Sequence, residues 1–142
     1  MKFVQKLIFS SLFLGMCGLV YGQTQSFRCS FSDGFSTEFK SNKPSSSRDK
    51  KFDDLTFDQL DTNKGTGRLI GNSGVSNFQV LNGDNSIHIV ERTMSGNMNI
   101  TTIFNTSQNV TGNFPVVHSR HNNLMSNPLP SQYVGFCKKL NQ

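Results

Sequence analysis

Apolar and polar residues alternate over short stretches along most of this chain, and clusters of Gly, Asn, Asp and Ser separate these stretches. Successive side chains of a strand point to opposite faces, so alternation with a period of two predicts half-buried β-strands. A helical period is nearly absent, and alanine, the best helix former, does not occur from residue 23 onward. The pattern therefore predicts an all-β protein.

The alternating stretches predict roughly eight strands. Residues 27–31 and 35–39 are expected to form a first hairpin around a Ser-Asp-Gly turn, and residues 41–51 a flexible polar loop. Asn-Gly tolerates the positive φ of a tight turn, so residues 82–85 give the strongest hairpin signal. Further strands are expected at residues 52–60, 66–72, 75–81, 86–92, 98–104, 114–120 and 132–137. Turn signals at near-regular spacing predict a single antiparallel small barrel or sandwich, and the pattern does not choose between them.

The N-terminus has the pattern of a secretory signal peptide. Lys2 and Lys6 precede an uncharged run over residues 7–20, which is shorter than the roughly 20 apolar residues of a membrane-spanning helix. We expect cleavage after Gly22, which leaves residues 23–142 as one exported β-domain, periplasmic or secreted, without a membrane span. A lipoprotein with Cys17 as the lipid-bearing residue is disfavoured, because the preceding Met16 is large.

Charge adds little to this picture. The chain has 14 basic and 9 acidic side chains, and loss of Lys2 and Lys6 with the leader reduces the net charge from +5 to +3. The basic residues are scattered, and their one cluster, residues 47–51, is followed by two aspartates. The sequence therefore shows no clear nucleic-acid-binding patch.

Cys29 and Cys137 are the two cysteines that remain after cleavage, and we expect them to form a disulfide in an oxidising compartment. Closing so long a loop removes entropy from the unfolded chain worth roughly 4–5 kcal/mol. The bond would tie the first strand to the last, with Cα atoms about 4.4–6.8 Å apart. A structural role is favoured over a redox role, because the wide spacing excludes a C-x-x-C motif.

Phenylalanine is the main large apolar residue, and we expect it to form the core. Ten phenylalanines follow the leader: Phe27, Phe31, Phe35, Phe39, Phe52, Phe57, Phe78, Phe104, Phe114 and Phe136.

His118 and His121 are candidate metal ligands three residues apart. On a strand they would face opposite ways, so a metal site is disfavoured unless the chain turns at Arg120, and no cofactor is indicated. Three sequons, at Asn99, Asn105 and Asn109, matter only in a eukaryotic host.

A second grouping of the same residue types follows from alternation. His118 and Arg120 share one strand face, while His88 and Arg92 share a face of another strand and Glu91 lies on its opposite face. If the two strands were neighbours, two histidines and two arginines would form a patch suited to a phosphate or carboxylate. The simpler interpretation, which we favour, is that these are solvent-facing polar positions.

Several short motifs resemble those of one group of proteins. Phe27-x-Cys29, residues 70–74 (IGNSG), 91–97 (ERTMSGN), 117–121 (VHSRH) and 130–137 (PSQYVGFC) occur in this order along nearly the whole mature chain. The chain resembles a group of small uncharacterised exported proteins of Gram-negative bacteria. This resemblance implies a periplasmic or secreted single domain, and it does not indicate an activity.

Two functions are compatible with the sequence. The favoured one is a non-enzymatic exported domain that binds a small ligand, for example an apolar one inside a closed barrel, or a protein partner. The alternative is a ribonuclease-like phosphodiester hydrolase, with Glu91 or a histidine as base, another histidine as acid, and Arg92 or Arg120 on the phosphate. The residues to test are His88, Glu91, Arg92, His118, Arg120 and His121.

Overall fold

A computed structural model describes residues 24–50, 52–72, 74–105, 112–125 and 127–140, and these ranges contain strands and no helix. The strands are β1 (Gln25–Lys40), β2 (Lys43–Arg48), β3 (Leu55–Asp61), β4 (Thr66–Gly71), β5 (Gly74–Gly83), β6 (Ser86–Arg92), β7 (Met98–Phe104), β8 (Asn113–Leu124) and β9 (Asn127–Leu140). The predicted signal peptide and its cleavage site lie outside the described residues. No segment within them is a helix capable of crossing a bilayer.

Eight of these strands form a closed antiparallel barrel. The strands β3 to β9 pair in chain order, β1 pairs with β3 on one side, and the pairing of β1 with β9 closes the barrel. The remaining strand, β2, pairs with the second half of β1 outside the closed ring. The all-β prediction is confirmed, and the architecture is a barrel rather than a sandwich.

The first predicted hairpin is wrong, because β1 continues through Ser32, Asp33 and Gly34 as one long strand. The register to β9 shifts between Phe31 and Asp33, so the Ser-Asp-Gly stretch forms an irregularity within the strand. Asp33 accepts a hydrogen bond from the Gly34 N–H and pairs with Arg48 of β2, which stabilises the extended course. A Cβ at Gly34 would lie 2.3 Å from Cδ1 of Tyr133, so this position requires glycine.

Two turns also differ from prediction. The expected flexible loop contains β2, which returns from β1 through Ser41 and Asn42, both with positive φ as in a tight two-residue hairpin turn. The predicted hairpin between β5 and β6 is present, but its turn residues are Asp84 and Asn85, while residues 82 and 83 extend β5.

The predicted disulfide joins Cys29 of β1 to Cys137 of β9, and both residues are fully buried. The two cysteines are direct cross-strand partners. Their Cα atoms lie 3.9 Å apart, closer than the expected range. Direct opposition in an antiparallel pair brings Cα atoms to about 4.5 Å even without a bridge. The first and last strands of the barrel are therefore covalently connected.

Side chains fill the barrel interior. Its most deeply buried apolar residues are Phe57, Leu60, Ile89, Ile103, Val116 and the two cysteines. The expectation of a phenylalanine core is only partly correct, because Phe35, Phe39 and Phe136 are exposed on the outer face. Eight strands give an interior just wide enough for side chains to fill, so this packed core leaves little support for an apolar ligand inside it.

The two ends of the barrel differ. We call the end at which β6 and β8 finish and β7 and β9 begin the upper end, and the end that holds the first residues of β1 the lower end. Several polar side chains point inward near the upper end, while at the lower end Ser26 and Asp61 are buried.

Candidate functional site

We call the inward-facing polar residues of the upper end the upper interior site. Glu91 of β6, Asn99 of β7 and Arg120 of β8 lie in one row, because Glu91 pairs with Asn99 and Asn99 with Arg120. Thr101, His118 and Tyr133 form the next row inward, on β7, β8 and β9. Strand pairing thus brings an acid, a guanidinium, an imidazole and a phenol to one end of the barrel.

Hydrogen bonds fix the Glu91 carboxylate. The Ser76 hydroxyl donates to Oε1 at 2.6 Å, and the Asn99 Nδ2 group donates to Oε2 at 2.8 Å. Asn99 Oδ1 is buried without a hydrogen-bond partner in the described part of the chain. A buried acceptor of this kind is uncommon in folded proteins, because it has lost its bonds to water without replacement. This oxygen could accept a donor from a bound molecule.

His118 is almost completely buried, with 2% of its surface exposed. Its Nδ1 shares a hydrogen bond of 2.7 Å with the Thr101 hydroxyl. Burial, assisted by the positive charge of Arg120, lowers the pKa of His118 from 6.5 to about 4. The imidazole is therefore neutral at physiological pH.

Phe52 covers the upper interior site. It comes from residues 52–54, which have no regular structure, and its ring stacks on Tyr133 with centroids 4.3 Å apart. The ring also lies 4.8 Å from the His118 ring and 5.1 Å from that of Phe31. The Arg120 guanidinium carbon is 5.6 Å from the Phe52 centroid, within the range of a cation–π contact.

Phe52 also lines a surface depression of about 530 Å³, together with polar residues that include Asp53 and Asn72. Phe52 is therefore the residue that this depression shares with the contacts of His118 and Tyr133. Phe52 belongs to an irregular segment rather than to a barrel strand. Moving its side chain would therefore not break strand pairing.

Tyr133 connects the barrel wall to the segment that precedes Phe52. Its hydroxyl donates to Asp49 Oδ2 at 2.7 Å. Burial, together with the Asp49 carboxylate, raises the pKa of Tyr133. The phenol is therefore protonated and acts as a hydrogen-bond donor at neutral pH.

The six predicted candidates divide into an inner and an outer set. Glu91, His118 and Arg120 belong to the upper interior site, and for His118 and Arg120 this corrects the favoured interpretation that they face solvent. Strand alternation places the other three on the outside: His88, Arg92 and His121. Since β7 lies between β6 and β8, these two strands are not neighbours, and the patch of two histidines and two arginines that depended on their adjacency does not form.

The outer set has ordinary surroundings. His88 is held between Ser86 and Thr102, with hydrogen bonds of 3.1 and 3.0 Å from its ring nitrogens. Arg92 and His121 are exposed, and their common cross-strand neighbour is Met98. These contacts indicate no shared binding site.

The chain does not turn at Arg120, because β8 continues to Leu124, so His118 and His121 face opposite sides of the barrel wall. No group of three or more His, Cys, Asp or Glu suited to a metal ion occurs in the described ranges. Of the sequons, Asn99 is engaged by Glu91 and Asn105 is exposed at the end of β7, while Asn109 lies outside the described residues.

Sequence reasoning missed Phe52, Tyr133, Thr101, Asn99 and Ser76 as parts of this site. Asn99 and Thr101 could have been found, since alternation places them on the face of buried Ile103. Phe52 gave no such signal, because its position over the barrel end depends on a segment outside the strands.

The arrangement combines charge, hydrogen-bonding groups and aromatic surface. Arg120 provides positive charge, Asn99 Oδ1 an acceptor without a partner among the described residues, and Tyr133 an aromatic ring that stacks on Phe52. His118 is a weak candidate for a general acid near neutral pH, because its pKa of about 4 leaves it without a proton to give.

Comparisons of the chain with protein-family models, with curated proteins and with solved structures find no match.

Proposed function

We propose that the chain is an exported, non-enzymatic binding domain that takes a small anionic organic molecule, a carboxylate or phosphate, at the upper interior site. The observation that carries this proposal is the arrangement around Phe52. Phe52 is one of the residues that line an outer depression, and its ring also packs against His118, Tyr133 and Arg120.

The charge and hydrogen-bonding groups support an anion with an attached donor. Arg120 presents a planar guanidinium, which matches carboxylate and phosphate oxygens. Asn99 Oδ1 is a buried acceptor without a partner among the described residues, so a hydroxyl or amine of the ligand would satisfy it. A planar ring in the ligand could replace Phe52 against Tyr133.

Export is part of this proposal. It is supported by the signal-like N-terminus and by the Cys29–Cys137 disulfide, since such bonds persist mainly in oxidising compartments. The resemblance to exported bacterial proteins points the same way.

The chain provides its own optical probe. Tyr133 is the only tyrosine after Gly22, and the chain has no tryptophan, so tyrosine fluorescence of the mature protein reports on this residue alone. We expect benzoate or phenyl phosphate to change this fluorescence in a saturable manner, because either would disturb the contacts of Tyr133 with Phe52 and Asp49. Native mass spectrometry of protein from the original host should show a bound small anion.

Matched variants test the role of Arg120. Arg120→Gln should weaken binding at least tenfold, and Arg120→Lys should weaken it less, whereas Arg92→Gln, on the outer face, should bind like the wild type. Equal binding by Arg120→Gln and wild type, with both proteins folded, would contradict the proposal. So would the absence of saturation with every probe together with an empty native mass spectrum.

The alternative, a phosphodiester hydrolase, has weaker support, because only Glu91, His118 and Arg120 of its six candidate residues share one site. It would be favoured by ribonuclease activity between pH 5 and 8 that is lost in His118→Ala and retained in His88→Ala and His121→Ala.

A further inference from the structure

A second concentration of charge lies on the outer face of the barrel, on the two strands that close it. Arg28 of β1 and Lys138 of β9 are direct cross-strand partners. Like charges in this position repel each other and destabilise a sheet. Asp54 offsets Arg28 through contacts of 3.2 Å, while Lys138 makes no ion pair with any described residue.

Apolar side chains flank these cations. Phe136 and Leu140 stand on either side of Lys138 along β9 and are 57% and 38% exposed. Together with Phe31 and the two cations, they line a groove of about 480 Å³. Phe136 and Leu140 therefore place exposed apolar surface next to Lys138, a cation without an ion pair among the described residues.

We infer that this outer groove binds a single-chain carboxylate amphiphile of the fatty-acid type. The carboxylate lies between Arg28 and Lys138, where it relieves the repulsion between them, and the alkyl chain covers Phe136 and Leu140. The volume falls within the range of about 300–1,000 Å³ that is usual for small-molecule sites. The inference does not depend on the upper interior site, which opens at a different part of the barrel.

Adjacent residues provide the controls. Lys139 has the same charge as Lys138 but points to the other side of the strand, and Phe35 is as exposed as Phe136 but does not line the groove. Calorimetric titration of the mature protein with dodecanoate below its micellar concentration should show one site. Lys138→Glu and Phe136→Ser should each weaken it at least tenfold, whereas Lys139→Glu and Phe35→Ser should remain within twofold of wild type.

Methyl dodecanoate, which lacks the charge, should bind at least tenfold more weakly than dodecanoate. Thermal unfolding verifies that every variant is folded. Equal losses in Lys138→Glu and Lys139→Glu would overturn the inference, because they would indicate unspecific attraction. Binding to anionic phospholipid vesicles without binding to dissolved dodecanoate would overturn it in favour of a membrane surface.

Discussion

A neutral histidine inside the barrel makes stability depend on pH. His118 is buried, with the Thr101 hydroxyl and the Phe52 ring as neighbours, and its burial together with the nearby Arg120 charge disfavours the imidazolium. The unfolded chain would bind a proton near pH 6.5, whereas the folded protein binds one only near pH 4. Acid therefore favours the unfolded state over the interval between these values.

We expect the free energy of unfolding to fall by about 3 kcal/mol through this residue as the pH decreases from about 6.5 to 4, and no further below that. His118→Gln removes the titration, so its urea unfolding curves should lose this part of the pH dependence. His121→Gln, an exposed position, should behave like the wild type. An identical pH profile for His118→Gln and wild type would show that the imidazole is not held neutral.

At the level of strands, the alternation of apolar and polar residues correctly predicted the positions of β3 to β9, although β8 and β9 are longer than predicted. It failed for β2, because Lys-Pro-Ser-Ser-Ser-Arg is exposed on both faces and has no apolar positions. It also failed for the middle of β1, where Ser-Asp-Gly is a turn signal locally and is held extended by Arg48 and Tyr133, which are distant in sequence. Local patterns cannot show such long-range partners.

The close approach of β1 and β9 predicts that a larger residue at Gly135 destabilises the barrel. A Cβ on Gly135 would lie 2.0 Å from the Ser30 carbonyl oxygen, a backbone atom that cannot move aside without disturbing the strand pair. Gly135→Ala should therefore destabilise by about 1–3 kcal/mol or more. Gly71→Ala is the matched control, because its nearest contact would be Leu55 Cδ2 at 4.0 Å. Equal melting temperatures for the two variants would contradict this account.

For the molecule as a whole, the candidate site was predicted in part. Alternation correctly grouped His118 with Arg120 and placed Glu91 opposite His88, but it could not show which face becomes the interior. That choice depends on how eight strands close, and the cover by Phe52 depends on a segment far from β8 in sequence. The disulfide was predictable, because Cys29 and Cys137 were the one available pair.

The disulfide that connects the first and last barrel strands should contribute to the stability of the protein. The bond spans 108 residues, so it restricts the unfolded chain strongly. We expect Cys29→Ser combined with Cys137→Ser to destabilise by roughly 2–5 kcal/mol in urea unfolding. Reduced wild-type protein should resemble this double variant. A loss below about 1 kcal/mol would mean that strand pairing alone maintains closure.

The adjacency of β1 and β9 also has a consequence for the order of folding. A chain made from its N-terminus presents β1 first, and one edge of β1 has no partner until the last residues of the protein emerge. Contacts so distant in sequence form slowly, and an unpaired strand edge invites pairing with other chains. The β1–β2 hairpin joins residues close in sequence and pairs with the second half of β1, yet it leaves the edge beside Cys29 without a partner until β9 is present. Nascent chains of this protein thus pass through a vulnerable stage that ends only when β9 arrives, and delay or truncation near the C-terminus would produce aggregates rather than a partly closed barrel.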